Sequence, residues 1–160
     1  MATIMNETVY QKAQTHDIHL LNHFLKQHHQ ASASRGDFNY IAKRDNTIVG
    51  CARLISIGST NQMENSFWLR GVFVREENRR QGIASQLIEF MHQDLLQRQT
   101  MDGLSESTCF AFPLRHLNGF YEALGYEHCE IDSLPESLQQ RYRQALNTGK
   151  NWLCMMKTID

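Results

Sequence analysis

Arg79 and Arg80 stand directly before Gln81-Gly82-Ile83-Ala84, between an apolar run that ends at Val74 and an amphipathic stretch that begins at Gly82. The first amides of a helix lack intrahelical acceptors, and the macrodipole places partial positive charge beside them. A glycine at that point lets an anion's oxygens approach the main chain with no Cβ in the way, and Ala84 keeps the next contact small. Two guanidinium groups alongside would add charge-assisted hydrogen bonds of about 1.5 to 3 kcal/mol each when well formed. The chemistry these residues suit is the binding of a phosphate-like anion, a diphosphate above all. Neither G-x-x-x-x-G-K-[ST] nor G-x-G-x-x-G occurs, so the cradles of the common nucleotide-binding folds are not the model. A solvated basic turn with a capping glycine is the plain alternative.

The elements that must position this turn can be read from periodicity. Residues 67–74 form a strand. Residues 82–97 carry Ala84, Leu87, Ile88, Met91 and Leu95 on one helical stripe. Upstream, 7–13 suits a first strand, and 17–30 a helix with Ile18, Leu21, Phe24 and Leu25 inward and Thr15 or Asp17 as cap. Residues 38–44 and 47–58 flank Asp45-Asn46, a turn pair, and read as a hairpin. Downstream, 107–112 is a short apolar strand closed by Pro113. Leu117, Phe120, Tyr121 and Leu124 mark a helix that Gly125 ends. Residues 126–131 suit another strand. Ser133 and Glu136 have capping-box spacing ahead of a helix over 134–146 with Leu138, Tyr142 and Ala145 inward, and Asn147-Thr148-Gly149 turns the chain into a last strand over 152–158. Strands and helices that alternate unevenly, with hairpins near both ends, predict an α/β mixed sheet.

The chain has 160 residues, 41% hydrophobic and 21% charged, with 9 Gly and 2 Pro. A single globular domain over 1–160 is expected, with no disordered or collagen-like class. Sixteen Lys and Arg against 17 Asp and Glu leave a formal net charge of −1, which gives no broad electrostatic footprint for nucleic acid or an anionic membrane. The start lacks the layout of a secretory signal and no apolar run is long enough to span a bilayer, so a cytoplasmic protein is expected. Cys51, Cys109, Cys129 and Cys154 form no C-x-x-C pair and read as buried reduced thiols. His19 and His23 have the i, i+4 spacing of a metal pair, with His16, His28 and His29 nearby. No third ligand adjoins them, so solvated helix surface is the preferred reading and no metal is expected.

V-x-x-x-x-R-x-x-G-x-A, from Val74 to Ala84 after an apolar strand, resembles the acetyl-CoA-binding motif of the GCN5-related N-acetyltransferases. FYEALGY, residues 120–126, is similar to that family's aromatic-Tyr-x-x-x-Gly-aromatic helix end, in the expected order behind the first piece. The resemblance covers nearly the whole chain. It implies a mixed, mostly antiparallel twisted sheet flanked by helices, whose fourth and fifth strands splay apart to admit a pantetheine arm. It implies acetyl-CoA as acetyl donor and transfer to a primary amine of a small molecule or peptide in a direct ternary complex. Val72, Phe73 and Val74 would offer main-chain groups to the pantetheine, and Arg79, Arg80, Gln81, Gly82, Ile83, Ala84 and Ser85 would hold the pyrophosphate. Gly71 is compatible with a bulge in the fourth strand. No nucleic acid or membrane partner is implied, and the protein would be a monomer or homodimer.

A primary amine of pKa near 10.4 is neutral in only about 4 of 10,000 molecules at pH 7, so something must take its proton before it can attack. The oxyanion that forms can be met by a main-chain amide of the fourth strand, Phe73 or a neighbour. The departing thiolate can be protonated by a phenol, and Tyr121 is assigned as that general acid; a core tyrosine is its plain alternative. Family members often carry a Glu base on the fourth strand, where this chain reads Phe67, Trp68, Leu69, Arg70. Glu64, His116, His128 or an ordered water chain remain as bases. Leu114 stands where many members have a pantetheine-contacting Asn, and Asn118 is the substitute. Arg141 and Arg143 could meet an acidic acceptor or be solvated. Cys109 is the one thiol near the proposed slot, and with no His partner evident no covalent relay is expected. The alternative function is a catalytically silent acyl-CoA-binding regulatory module, which the missing Glu favours.

Overall fold

The computed structural model describes residues 7–34, 36–57, 65–103 and 106–160. Seven strands form one sheet in the order β1-β2-β3-β4-β5-β7-β6. They are β1 (Thr8–Lys12), β2 (Phe38–Arg44), β3 (Thr47–Ser56), β4 (Ser66–Val74), β5 (Ser107–Ala111), β6 (Glu127–His128) and β7 (Met155–Ile159). The helices are α1 (Asp17–Gln27), α2 (Ile83–Met101), α3 (Asn118–Ala123) and α4 (Glu136–Asn147). β1 with β2, β5 with β7 and β6 with β7 are antiparallel, whereas β4 and β5 run parallel. This is the expected mixed, mostly antiparallel sheet, and the parallel β4–β5 ladder follows from the α2 crossover between them.

The chain divides into two compact units: the residues through Arg53 with Gly71–Met91, and Leu54–Arg70 with His92–Asp160. In the first, Leu21, Phe24 and Leu25 of α1 bury against Ile41, Ile48 and Cys51. Ala42 instead joins Val49, Val74 and Ile83 at the start of α2, so consecutive β2 residues feed different clusters, as in a strand covered on both faces. The hairpin turn at Asp45 and Asn46 has φ of 50° and 62°, the left-handed pair that matches strand twist. In the second unit Trp68, Phe110, Phe112, Leu134, Leu138, Tyr142 and Cys154 form the core. α4 turns Leu138, Tyr142 and Ala145 inward, as its spacing predicts. Among the described residues no helix is long and apolar enough to cross a membrane.

Several boundaries differ from the sequence expectation. α1 stops at Gln27 rather than 30, because His29 adopts φ 58° and the Gln30 amide turns back to Leu25 O at 2.8 Å. Its N-cap is His16, with no side-chain cap; Asp17, 1% exposed, instead accepts the Gln14 amide at 2.8 Å and Lys43 Nζ at 3.2 Å. The stretch 126–131 yields only a two-residue strand, since Ile131–Ser133 coils into a 3₁₀ turn. The capping box does not form: Pro135 occupies the N-cap and Ser133 belongs to that turn. Trp152 makes an isolated bridge to Leu114, and β7 begins only at Met155. The four cysteines are free, with Cys129 and Cys154 in Sγ–Sγ contact at 3.3 Å.

Candidate functional site

Between β4 and α2 the chain makes a 3₁₀ turn, Glu76–Asn78, held by the Arg75 amide on Val49 O at 2.8 Å and by Arg75 Nε on the Oδ1 of buried Asn78 at 2.7 Å. Arg79 then folds back. Its Nε donates to Val74 O at 2.8 Å and its guanidinium lies over the Phe73 ring at 5.3 Å, while Phe73 also meets Phe24 and His28. One arginine thereby ties the strand end to the turn.

Arg80 and Gly82 follow with φ of 65° and 79°. Two left-handed residues one apart, after an extended Arg79, turn the main chain sharply into the start of α2, the kind of tight turn in which amides can face an anion. The amides of residues 80 to 85 donate to no described residue; the first helical bond at this end runs from the Gln86 amide to Gly82 O at 3.0 Å. A Cβ on Gly82 would find nothing nearer than Gln86 Nε2 at 3.8 Å, so the space above it is open and the demand for glycine comes from φ. Val74 and Ile83 put their side chains in the core and leave only main chain to the turn, whereas Arg79, Arg80 and Gln81 are exposed. Ser85 Oγ donates to Gly82 O at 3.1 Å.

The register of β4 is informative. Its ladder with β5 runs from Ser66↔Thr108 to Leu69↔Ala111 and stops, although β4 continues to Val74. Gly71 has φ 67°, and a Cβ there would meet Arg53 Nε at 3.0 Å, so the strand bends at a residue only glycine fits. No carboxylate occupies Phe67, Trp68, Leu69 or Arg70.

In the second unit, α3 carries Tyr121, 7% exposed, in edge contacts with Phe120 and Tyr126. Its hydroxyl has no hydrogen-bond partner among the described residues, and burial pushes its pKa up to about 12. Asn118 donates from Nδ2 to Glu122 Oε1 at 2.8 Å, and its Oδ1 is buried with no partner among the described residues. Leu114 is exposed and lies in the bridge to Trp152. His116 and His128 are exposed, and Glu64 lies outside the described residues. Cys109 is fully buried; burial raises its pKa to about 12 against the hydrogen bond with Tyr126. Among the described residues no group of three His, Cys, Asp or Glu is placed to hold a metal.

His92 escapes a motif search. It sits on α2, buried, with Nε2 2.9 Å from Tyr126 Oη, and burial together with Lys157 lowers its pKa to about 4. The available signal was a histidine four residues after Ile88 on the apolar stripe. A neutral His92, Tyr126 and the Cys109 thiol form one buried polar chain beneath Tyr121.

The model of the acetyltransferase (GNAT) domain family matches residues 35–128. The chain therefore belongs to the GNAT acetyltransferase family. Its fold is similar to that of N-acetylglutamate synthase from Neisseria gonorrhoeae, solved with coenzyme A and N-acetyl-glutamate, at TM-score 0.67 and 18% identity over 98% of this chain and 36% of that one. The chain thus spans about a third of that synthase. The ribosomal-protein-S18-alanine N-acetyltransferase from Escherichia coli aligns at TM-score 0.64 and 15% identity, covering 96% and 95% of the two chains. An aminoglycoside 6'-N-acetyltransferase solved with coenzyme A aligns at TM-score 0.63 and 14% identity, covering 95% and 97%. No curated protein matches the chain at a significant level.

Proposed function

We propose that the chain is a single acetyltransferase domain that moves the acetyl group of acetyl-CoA to a primary amine by direct attack. The observation that carries this reading is the run of amides over residues 80–85 that donate to none of the described residues, beside the stretch of β4 that has no β5 partner. Such amides bind a diphosphate with no side-chain rearrangement, and Gly82 leaves the approach open. Arg80 and the outer nitrogens of Arg79 add charge. Asn118 Oδ1, a buried acceptor lacking a donor among the described residues, suits an amide N–H of the pantetheine arm.

Acetyl-CoA supplies an acyl carbon already activated as a thioester. Of Val72, Phe73 and Val74, those whose main-chain groups face away from β3 can offer them to the arm. The Arg75 amide points to Val49 on β3, and Phe73 O lies on that same side, 3.3 Å from a Cβ built on Gly50. Amide direction alternates along a strand, so Val72 and Val74, rather than Phe73, aim their N–H groups at the opposite edge, where an oxyanion donor is needed. The amine loses one proton to water before it attacks and a second as the amide forms. Tyr121, protonated up to about pH 12, hands its proton to the departing sulfur and is reprotonated in turn, so that one proton is released to solvent per transfer. Cys109 is a thiol at neutral pH and serves no covalent step.

A silent acyl-CoA-binding module would share the amide run but has no use for a partnerless phenol. Acetyl-CoA at about 100 times its Kd should stabilise the fold by about 2.7 kcal/mol, a Tm rise of about 5 to 10 °C. Free CoA thiol should then appear when a panel of amino acids, polyamines, aminoglycosides and peptides is offered. No thermal shift refutes acyl-CoA binding; a shift without thiol release from any amine establishes the silent module.

A further inference from the structure

We propose that Cys129 and Cys154 form an oxidation site, at which a hydroperoxide converts the two thiols to a disulfide and ties the chain between β6 and β7, α4 included, into a closed loop. The inference goes beyond the acetyltransferase reading above and does not depend on it.

The register of β6 and β7 pairs Glu127 with Met156 and His128 with Met155, so the next two residues, Cys129 and Cys154, stand opposite one another. The Cys129 amide donates to Cys154 O at 3.0 Å and carries the ladder on by that one step. Opposed residues of an antiparallel pair are about 4.5 to 5.5 Å apart at Cα, within the range of about 4.4 to 6.8 Å that a disulfide spans. The side chains already meet, with the two Sγ atoms 3.3 Å apart. A bond of about 2.05 Å asks the sulfurs to close by about 1.3 Å, a movement that side-chain rotation can supply. The remaining cysteines are engaged elsewhere: Cys51 Sγ donates to Gly71 O at 3.7 Å and Cys109 bonds Tyr126, both from fully buried positions.

The two thiols are unequal. Cys154 is buried with Phe112, Leu138 and Tyr142, whereas Cys129 is half-buried and packs against that cluster from outside. Their hydrogen bond lowers the pKa of Cys129 and raises that of Cys154; burial and the charge of Glu130 oppose ionisation of Cys129 without reversing the direction. Cys129 is therefore the sulfur that ionises and the one a solute reaches, and Cys154 keeps its proton. The Cys129 thiolate attacks one oxygen of hydrogen peroxide. An S–O bond forms, the O–O bond breaks, and the departing hydroxide takes up the proton that Cys129 lost, leaving a sulfenic acid and one water. The Cys154 sulfur then attacks the sulfenic sulfur, the S–S bond forms, and the expelled hydroxide leaves as a second water with the Cys154 proton. Two thiols have been oxidised by two electrons and one peroxide reduced to two waters, and an added dithiol reverses the change by exchange. A resolving thiol 3.3 Å away intercepts the sulfenic acid before it can oxidise further.

The test starts from the full chain, reduced and freed of dithiol, treated with hydrogen peroxide, its thiols then counted in denaturant and its bridges mapped by mass spectrometry. The four free thiols should fall by half, the bridge should map to Cys129 and Cys154 within one chain, and dithiothreitol should restore all four. No loss of thiol, a bridge through Cys51 or Cys109 or between chains, or a loss that dithiothreitol does not reverse overturns the proposal. The count on the unaltered chain needs no variant, so it stands even where a substitution impairs folding. Two variants test the roles: Cys154→Ala should leave a dimedone-reactive sulfenic acid on Cys129, and Cys129→Ala should slow thiol loss to peroxide by at least about tenfold. Equal rates of thiol loss with and without Cys129 overturn its place as the attacking sulfur, and with it the site.

Discussion

Replacing Tyr121 by Phe separates a proton donor from a core tyrosine. The hydroxyl is in a residue only 7% exposed and has no hydrogen-bond partner among the described residues. Removing a paired buried hydroxyl costs about 0.5 to 1.5 kcal/mol net, whereas removing an unpaired one is close to neutral or mildly stabilising. The ring contacts with Phe120 and Tyr126 survive in Phe. Tm should therefore move by no more than about 3 °C, and the thermal shift caused by acetyl-CoA should be retained. Turnover should not survive. General-acid help is worth about 100- to 10,000-fold, or about 2.7 to 5.5 kcal/mol of barrier, and the loss should fall on kcat. Burial keeps the wild-type proton in place to about pH 12, so this group imposes no loss of activity between pH 7 and 10. Steady-state thiol release and thermal denaturation on the same preparations give both numbers. A kcat within threefold of wild type, or a Tm drop of more than about 5 °C, would refute the assignment.

His92 makes stability depend on pH. Its folded pKa of about 4 lies below the ordinary 6.5, so the unfolded chain binds the extra proton and stability falls as pH drops from about 6.5 toward 4, by at most about 3 kcal/mol. Urea unfolding at pH 7.5 and 4.5 should show that slope in the wild type and a flatter one in His92→Gln; equal slopes would exclude His92 as the cause. Arg80→Gly relieves a left-handed non-glycine residue and should raise stability by about 0.5 to 1 kcal/mol after the added freedom of the unfolded chain, while weakening acetyl-CoA. A lower Tm would show that the Arg80 side chain makes contacts worth more than its strain. Gly82→Val, at φ 79°, should weaken acetyl-CoA at least about tenfold by calorimetry, with unchanged affinity removing the residue from the anion site. Leu138→Ala empties a fully buried site under α4 and should cost about 2 to 5 kcal/mol by chemical denaturation; a cost below about 1 kcal/mol would mean that α4 is not held through this cluster.

What could be read from the chain alone is what one turn or one strand encodes. Asp45-Asn46 takes the left-handed hairpin turn, Gly125 and Gly149 end their helices at φ of 95° and 86°, and the Val74 to Ala84 spacing points to the family. Each depends on dihedral preference or hydrogen bonding within a few residues, so neighbours suffice to specify it. Where the decision lay between distant segments, local signals were silent or were overridden. The Ser133–Glu136 capping box gave way to a 3₁₀ turn and a Pro135 cap, and the expected strand over 126–131 kept only the two residues that pair with β7. The end of the β4–β5 ladder at Leu69, the bond between His92 and Tyr126, and two arginines from β4 and α4 on one indole arise only once long loops have closed and the core has packed. Those contacts depend on loop closure and shape, quantities that no window of neighbouring residues contains.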